Sequence, residues 1–188
     1  MSKPTLQVIV ASTRPGRIGL PVGEWFRDVA AEHGAFAVEL VDLAEVALPF
    51  FDEPKHPKLG DYVHQHTRDW SATITRGDAF VMVTPEYNHG FNAVLKNAID
   101  FLSNEWAYKP VGFVSYGGVS AGTRAVHAIK PIASAVKLVP LFDTVAIPFV
   151  QQFLVDGAIV ASEAMTRGAV TMLDELAKVT AMLRPRTA

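Results

Sequence analysis

Short apolar runs and helix-period stripes alternate along the whole chain. Leu6 to Ala11 (LQVIVA) is apolar and β-branched, the pattern of a strand buried on both faces. Ser12-Thr13-Arg14-Pro15-Gly16-Arg17-Ile18-Gly19 cannot extend that strand, because Pro15, Gly16 and Gly19 interrupt it. Val22, Trp25, Phe26, Val29 and Ala30 then recur at helical spacing up to His33-Gly34. Phe36 to Leu43 alternates and predicts a second strand. Ala44 to Lys58 reads as a long loop, with Pro49, Pro54 and Pro57 and the exposed pair Phe50-Phe51. A helix carries Val63, His66, Trp70, Thr73 and Ile74 before Gly77, and Ala79 to Thr84 (AFVMVT) is a third buried strand. That strand enters a polar turn, Pro85-Glu86-Tyr87-Asn88-His89-Gly90. The next helix shows Val94, Leu95, Ala98, Phe101 and Leu102 on one face, with Asn92 as its N-cap. Pro110 to Tyr116 (PVGFVSY) is a fourth strand and ends in Gly117-Gly118-Val119-Ser120-Ala121-Gly122. Ala125, Ala128, Ile129, Ile132 and Val136 mark a helix that Pro131 should bend. Leu138 to Phe149 supplies a fifth strand, Met165 to Leu183 a last amphipathic helix, and 184–188 a frayed tail.

Five strands alternating with five helices predict an α/β, doubly wound three-layer sandwich. Its parallel sheet should have strand order 2-1-3-4-5, with helices on both faces. In that order strands one, three and four are neighbours. The polar loops at their carboxyl ends therefore converge on the switch point between strands one and three, where such folds bind ligands.

Composition narrows the classes. The 188 residues suit one domain, 1–188, and half of them are apolar. A net charge of −2 gives no electrostatic case for nucleic acid or an anionic membrane. The absence of cysteine excludes disulfides, thiolate metal sites and a cysteine nucleophile. No apolar stretch reaches membrane-spanning length, and the opening MSKPTLQVIVAS is too short an apolar run for a signal peptide. The expectation is a soluble, cytoplasmic protein without membrane insertion. His64 and His66, two apart on a predicted helix, point to different faces and make no metal pair.

Each loop offers its own chemistry. In the first, glycines present N–H groups at a helix N-terminus, Ser12 adds a hydroxyl, and Arg14 and Arg17 add charged donors, which together suit a phosphate. It is not a P-loop and lacks dinucleotide spacing, so a mononucleotide fits better than NAD. The competing reading is a solvated turn with two surface arginines. In the second loop Pro85 stiffens the turn, Tyr87 offers an aromatic face and Asn88 an amide that donates and accepts, suited to the edge of a heteroaromatic ring. Glu86 is expected to face a ligand with its backbone rather than its charge. In the third, Ser115-Tyr116-Gly117-Gly118 leaves backbone N–H groups uncovered, with Tyr116 placed to stack on a flat ring. The competing reading is an ordinary turn using glycine for positive φ.

Ser12-Thr13-Arg14-Pro15-Gly16-Arg17 with Trp25, then Pro85-Glu86-Tyr87-Asn88 followed by Leu95-Lys96-Asn97-Ala98-Ile99-Asp100, resemble the NADPH-dependent FMN reductase family over essentially the whole chain. The resemblance implies a flavodoxin-like fold, bound FMN, and NADPH or NADH as hydride donor. Electrons would pass to a small-molecule acceptor such as a quinone, free flavin, azo compound or metal oxyanion, in a ping-pong sequence. It assigns the FMN phosphate to Ser12, Arg14, Arg17 and the amides of Ile18 and Gly19. Pro85, Glu86, Tyr87 and Asn88 would border the isoalloxazine, with Ser115, Tyr116, Gly117 and Gly118 at its other edge. No side chain is assigned as catalytic acid or base. The chain departs from many members at Arg17 and Gly19, where serine and asparagine stand, and at Gly90 and Asn92, where Ser and Pro are common. The resemblance further implies a homodimer or homotetramer. The rival classes are a flavodoxin-type electron carrier and an FMN-binding sensor without turnover; Arg14, Arg17 and the near-neutral charge argue against the carrier.

Overall fold

In the computed structural model, which describes residues 2–183, the central sheet has the order β2-β1-β3-β4-β5. Its strands are β1 (Thr5–Val10), β2 (Ala37–Asp42), β3 (Ala79–Pro85), β4 (Pro110–Tyr116) and β5 (Val139–Ile147). Every pairing is parallel, as predicted. The helices are α1 (Gly19–His33), α2 (Leu43–Val46), α3 (Gln65–Arg76), α4 (Ala93–Asp100), α5 (Thr123–Ala135) and α6 (Glu163–Leu183). The predicted tail, 184–188, lies outside the described residues.

All seven positions of β3 and of β4 are buried, which is why their sequences are apolar without alternation. The pleat still sorts them. Ala79, Val81, Val83 and Val114 pack with Val22, Phe26, Met172 and Leu173 on the α1/α6 face. Phe80, Met82, Val111 and Phe113 pack with Trp70, Trp106, Leu95 and Ile129 on the α3/α4/α5 face.

Differences from the sequence reading are local. Leu43 leaves β2 and opens α2, because the Asp42 carboxylate caps that turn by accepting from the Ala44 amide at 3.0 Å. The fifth strand ends at Ile147; a 3-10 turn (Val150–Phe153) and a small antiparallel pair, β6 (Leu154–Val155) and β7 (Ala158–Ile159), follow. Pro131 lies inside α5 as predicted, and the helix continues through it to Ala135. His64 stands at the N-cap of α3 in extended backbone rather than within the helix. Its ring therefore stacks on His66 at 5.1 Å instead of facing away, and the two flank Asp52.

Helix α4, which carries the second loop into the core, is fixed at both ends. The Asn92 amide accepts from the Leu95 N–H at 3.0 Å and donates to the Ala11 carbonyl at 2.8 Å, tying the helix start to the end of β1. At the other end the Ala98 carbonyl, orphaned by termination, accepts from the indole of Trp70 (2.8 Å), and the Ile99 carbonyl, which also accepts from the Leu102 amide (3.3 Å), accepts from the indole of Trp106 (3.2 Å). Asn97 holds the proline-rich loop to this helix, donating to the Pro49 carbonyl and accepting from the Phe51 amide.

Candidate functional site

The carboxyl ends of β1, β3 and β4 lie side by side, so the three polar loops meet as the strand order requires. Between them is a cleft of about 230 Å³ lined by Arg14, Arg17, Ile18, Pro85, Glu86, Tyr87, Tyr116, Gly117, Gly118, Val150 and Gln151. Larger clefts lie between α5 and β5 (about 350 Å³), between α1 and β7 (about 430 Å³) and beside residues 51–58 (about 610 Å³), but none of them sits where these loops converge. Val150 and Gln151 were not predicted. They arrive because the loop after β5, the neighbour of β4, folds back: the amides of Phe149 and Val150 donate to the carbonyls of Gly118 (3.2 Å) and Gly117 (3.3 Å).

The first loop keeps several groups available for an anion. Helix α1 has no side-chain N-cap and no acidic residue in its first turn, so its positive end faces the loop unneutralised. The Ser12 hydroxyl is fully buried yet has no hydrogen-bond partner among the described residues. Arg14 forms no ion pair among the described residues. Arg17 behaves differently from the expectation. Its guanidinium is bound to both oxygens of Asp42 and donates to the Ser12 carbonyl at 2.5 Å. The bond to Asp42 raises the Arg17 pKa, against the opposing effect of burial. Its charge is spent inside the protein.

Tyr116 also departs from the prediction. As the last residue of β4 it shares a face with Val114, and the pleat turns its ring into the α1/α6 core. It does not stand as a free stacking surface. Its hydroxyl reaches the start of α1, where a Cβ built on Gly19 would meet Ser12 Oγ at 2.0 Å and Tyr116 Oη at 2.4 Å. Burial pushes the phenol up to about 12, moderated by the Ser12 hydroxyl and by the charges of Arg17 and Arg14, while nearby Tyr87 adds to the rise. The two hydroxyls are close enough to influence each other without the alignment of a full hydrogen bond.

The neighbouring positions divide in the same way. The hydroxyl of Ser115, on the opposite face, donates to the Ala121 carbonyl at 2.8 Å and so shapes the third loop from within. The Gly117 amide donates to the Ile147 carbonyl at 3.2 Å, so it is not among the free donors expected there. At Gly118 a Cβ would meet nothing within 4 Å; the loop is open to close approach at that point.

Glu86 is held at both its backbone and its side chain. Its amide donates to the Tyr116 carbonyl at 3.3 Å, extending the β3/β4 ladder. Its carboxylate accepts from the amide of Arg124 at 3.2 Å and from that guanidinium at 2.7 Å. Helix α5 has no side-chain cap of its own, and Glu86 places a negative charge at its N-terminus. The charge is therefore committed to α5, and the backbone to the sheet.

Tyr87 and Gly90 exchange amide hydrogen bonds of 2.9 and 3.0 Å, and the two residues between them have positive φ, 50° at Asn88 and 69° at His89. This is a type I′ turn, which normally carries Asn-Gly. Asn88 therefore sits at an exposed tip, outside the residues that line the cleft. His89→Gly should relieve about 1–2 kcal/mol of left-handed strain against about 0.4–1 kcal/mol of added unfolded-state freedom. Urea unfolding should show equal or slightly higher stability; a clear loss would mean the imidazole makes a contact worth more than the strain.

The residues present fit FMN, the group that the resemblance implies. A buried hydroxyl and an arginine that have no hydrogen-bond partner and no ion pair, respectively, among the described residues fit a phosphate together with an uncapped helix N-terminus, and the unobstructed surface at Gly118 fits a flat ring. Among the described residues no group of three His, Asp or Glu side chains could hold a metal, and no helix is long and apolar enough to cross a membrane.

The chain is similar to known proteins at the level of family, of individual relatives and of fold. A family profile described as NADPH-dependent FMN reductase matches residues 4–152. An NAD(P)H-dependent FMN reductase of Schizosaccharomyces pombe is 39% identical over 137 residues, covering 72% of this chain and 68% of that protein. A protein of the same description from Nectria sp is 36% identical over 126 residues, covering 64% and 62%. The chain thus spans about two thirds of these relatives. Among solved structures, a flavoenzyme NAD(P)H:(acceptor) oxidoreductase from Paracoccus denitrificans superposes with a TM-score of 0.78 at 20% identity, covering 96% of this chain and 98% of that one. At that identity it speaks for the flavodoxin-like fold alone.

Proposed function

Because the chain belongs to the NADPH-dependent FMN reductase family, we propose that it is an FMN-dependent NAD(P)H oxidoreductase. It would pass reducing equivalents to a small acceptor of the quinone, flavin, azo or metal-oxyanion class. The observation that carries this reading is the meeting of the uncapped α1 N-terminus and Arg14 with the open Gly118 edge in one cleft, while the Ser12 hydroxyl, without a hydrogen-bond partner among the described residues, lies buried behind the cleft lining beside Gly19. FMN, when bound, supplies the hydride-accepting and hydride-donating chemistry.

The chain's own residues bind and orient. Ser12, Arg14 and the amides of Ile18 and Gly19 would hold the phosphate. Pro85, Glu86, Tyr87 and Gly118 would border the ring, with Asn88, Ser115 and Gly117 shaping the turns behind those contacts. Val150 and Gln151 close the side nearest β5. Donor and acceptor are read as using the same open face in turn, which gives ping-pong kinetics. Residues 2–183 are read as one domain, with α6 contributing Ala169, Met172 and Leu176 to the core beneath the cleft. A cytoplasmic homodimer or homotetramer belongs to the same proposal: Phe50 is 89% exposed on a loop anchored to α4, an apolar surface suited to a second copy.

Purified protein should be yellow, or should quench added FMN stoichiometrically, and should turn over NADPH with a quinone. Initial rates at several acceptor concentrations should give parallel double-reciprocal lines; intersecting lines would refute the shared face. A colourless protein that ignores FMN would refute the reading as a whole. Light scattering showing a monomer at micromolar concentration would remove the oligomer.

A further inference from the structure

Arg14 and Arg17 flank the same loop, but of the two only Arg17 forms an ion pair among the described residues. Asp42 is the last residue of β2, paired in register with Val10 of β1, so its carboxylate stands directly beside the start of the first loop. It is 7% exposed and binds the Arg17 guanidinium with both oxygens. A second contact runs from that guanidinium to the Ser12 carbonyl, and the Arg17 amide donates to the Arg14 carbonyl at 3.1 Å. The loop from 12 to 17 is thereby closed on itself and fastened to a strand that takes no part in the cleft. Fixing the Ser12 carbonyl toward Arg17 also fixes the next N–H, that of Thr13, in the opposite direction, because the peptide is planar and trans. A phosphate that recruited the Arg17 guanidinium would leave the Asp42 carboxylate buried without its counter-charge, a costly exchange.

We propose that Arg17 and Asp42 form a latch that holds the first loop in its anion-receiving shape before a ligand arrives. Arg17 is then a positioning residue and not a phosphate ligand, and Arg14 is the arginine that meets the phosphate. The inference rests on the reading of this cleft as an FMN site. It assigns Asp42, which stands outside the three loops, a part in cofactor affinity.

The test compares wild type with Arg17→Ala, Asp42→Asn and the double variant, using FMN and riboflavin as probes in fluorescence titrations. Asparagine keeps an acceptor for the Ala44 amide, so α2 retains its cap, and thermal melts confirm that each variant folds. If unlatching leaves the loop competent a tenth of the time, FMN affinity falls about tenfold. Each single variant should show that loss, the double should lose no more than either, and riboflavin, lacking the phosphate, should change far less. Hydrogen exchange of residues 12–18 in flavin-free protein should be faster in both single variants.

An Asp42→Asn protein that binds FMN as tightly as wild type or tighter, beside an Arg17→Ala protein that loses it, would make Arg17 a direct ligand and overturn the proposal. Losses that multiply in the double variant, or equal losses for both flavins, would overturn it as well. If wild type binds neither flavin, the cofactor reading fails, while the exchange comparison still decides the latch: unchanged exchange in both single variants refutes it.

Discussion

Replacing Gly122 by alanine should destabilise the protein by about 2–4 kcal/mol and distort the third loop. Gly122 has φ +80°, and the added Cβ would lie 2.7 Å from Ser115 Cβ, 2.8 Å from the Tyr116 amide nitrogen and 3.0 Å from the Tyr116 carbonyl. Two of those three neighbours are backbone at the end of β4, whose seven residues are all buried, so they cannot swing aside. Left-handed backbone costs a side-chain-bearing residue about 1–2 kcal/mol, and overpacking adds about 1–3 kcal/mol. The smaller freedom of unfolded alanine returns only about 0.4–1 kcal/mol. For a chain of this size that corresponds to a melting temperature lower by roughly 5–15 °C. Gly118→Ala is the matched control, since nothing lies within 4 Å of its added methyl; it should leave stability within about 0.5 kcal/mol. Equal melting of Gly122→Ala and wild type would mean that the loop can relax in a way this geometry denies. The functional consequence follows from Ser115, whose hydroxyl holds Ala121 next to Gly122: moving that turn moves the Gly117-Gly118 edge of the cleft.

The division between what the chain's pattern disclosed and what it hid has a physical basis. The apolar period located all five strands, and the strand order then placed the three loops together, because parallel strands separated by helices leave few arrangements. What escaped were pairings between distant residues and the direction of buried side chains. Glu86 finds its role in Arg124, and Arg17 in Asp42, and nothing local marks either partner. Tyr116 was misjudged because β4 is apolar on both faces, so no polar alternation shows which way its last ring turns. Val150 and Gln151 were missed for a different reason: the order 2-1-3-4-5 already implied that the loop after β5 would reach the cleft, but that loop carries no glycine or charge signature. The short α2, β6 and β7 fall below the length at which a period can be recognised. His64 illustrates the cost of a helix boundary misplaced by a residue or two, since an N-cap side chain leaves in a direction the helical spacing does not describe.

The position where the site is most sensitive is Gly19. Many members of the family carry asparagine there, and in this chain the corresponding volume is taken by the Tyr116 hydroxyl beside Ser12. Gly19→Ala should therefore weaken FMN binding by roughly a hundredfold, the scale of losing one to two charge-assisted hydrogen bonds of about 1.5–3 kcal/mol each. Ser12 can rotate away from the new methyl, but that turns its hydroxyl out of the place proposed for the phosphate. Tyr116 cannot follow, because its ring is packed among Val114 and Ile147 on the α1/α6 face. Overpacking should cost about 1–3 kcal/mol, partly offset by about 1 kcal/mol because alanine favours the helix more than glycine does. Ser12→Ala separates the two effects: it leaves Gly19 and Tyr116 undisturbed and should cost FMN affinity with little loss of stability. Gly19→Ala combined with Tyr116→Phe removes the second obstruction, so stability should recover while affinity stays low. Fluorescence titration of FMN and thermal melts on the four proteins read both quantities. Wild-type FMN affinity in Gly19→Ala would show that the phosphate does not depend on the Ser12 hydroxyl or the first turn of α1, and the cradle would have to be sought elsewhere in the cleft.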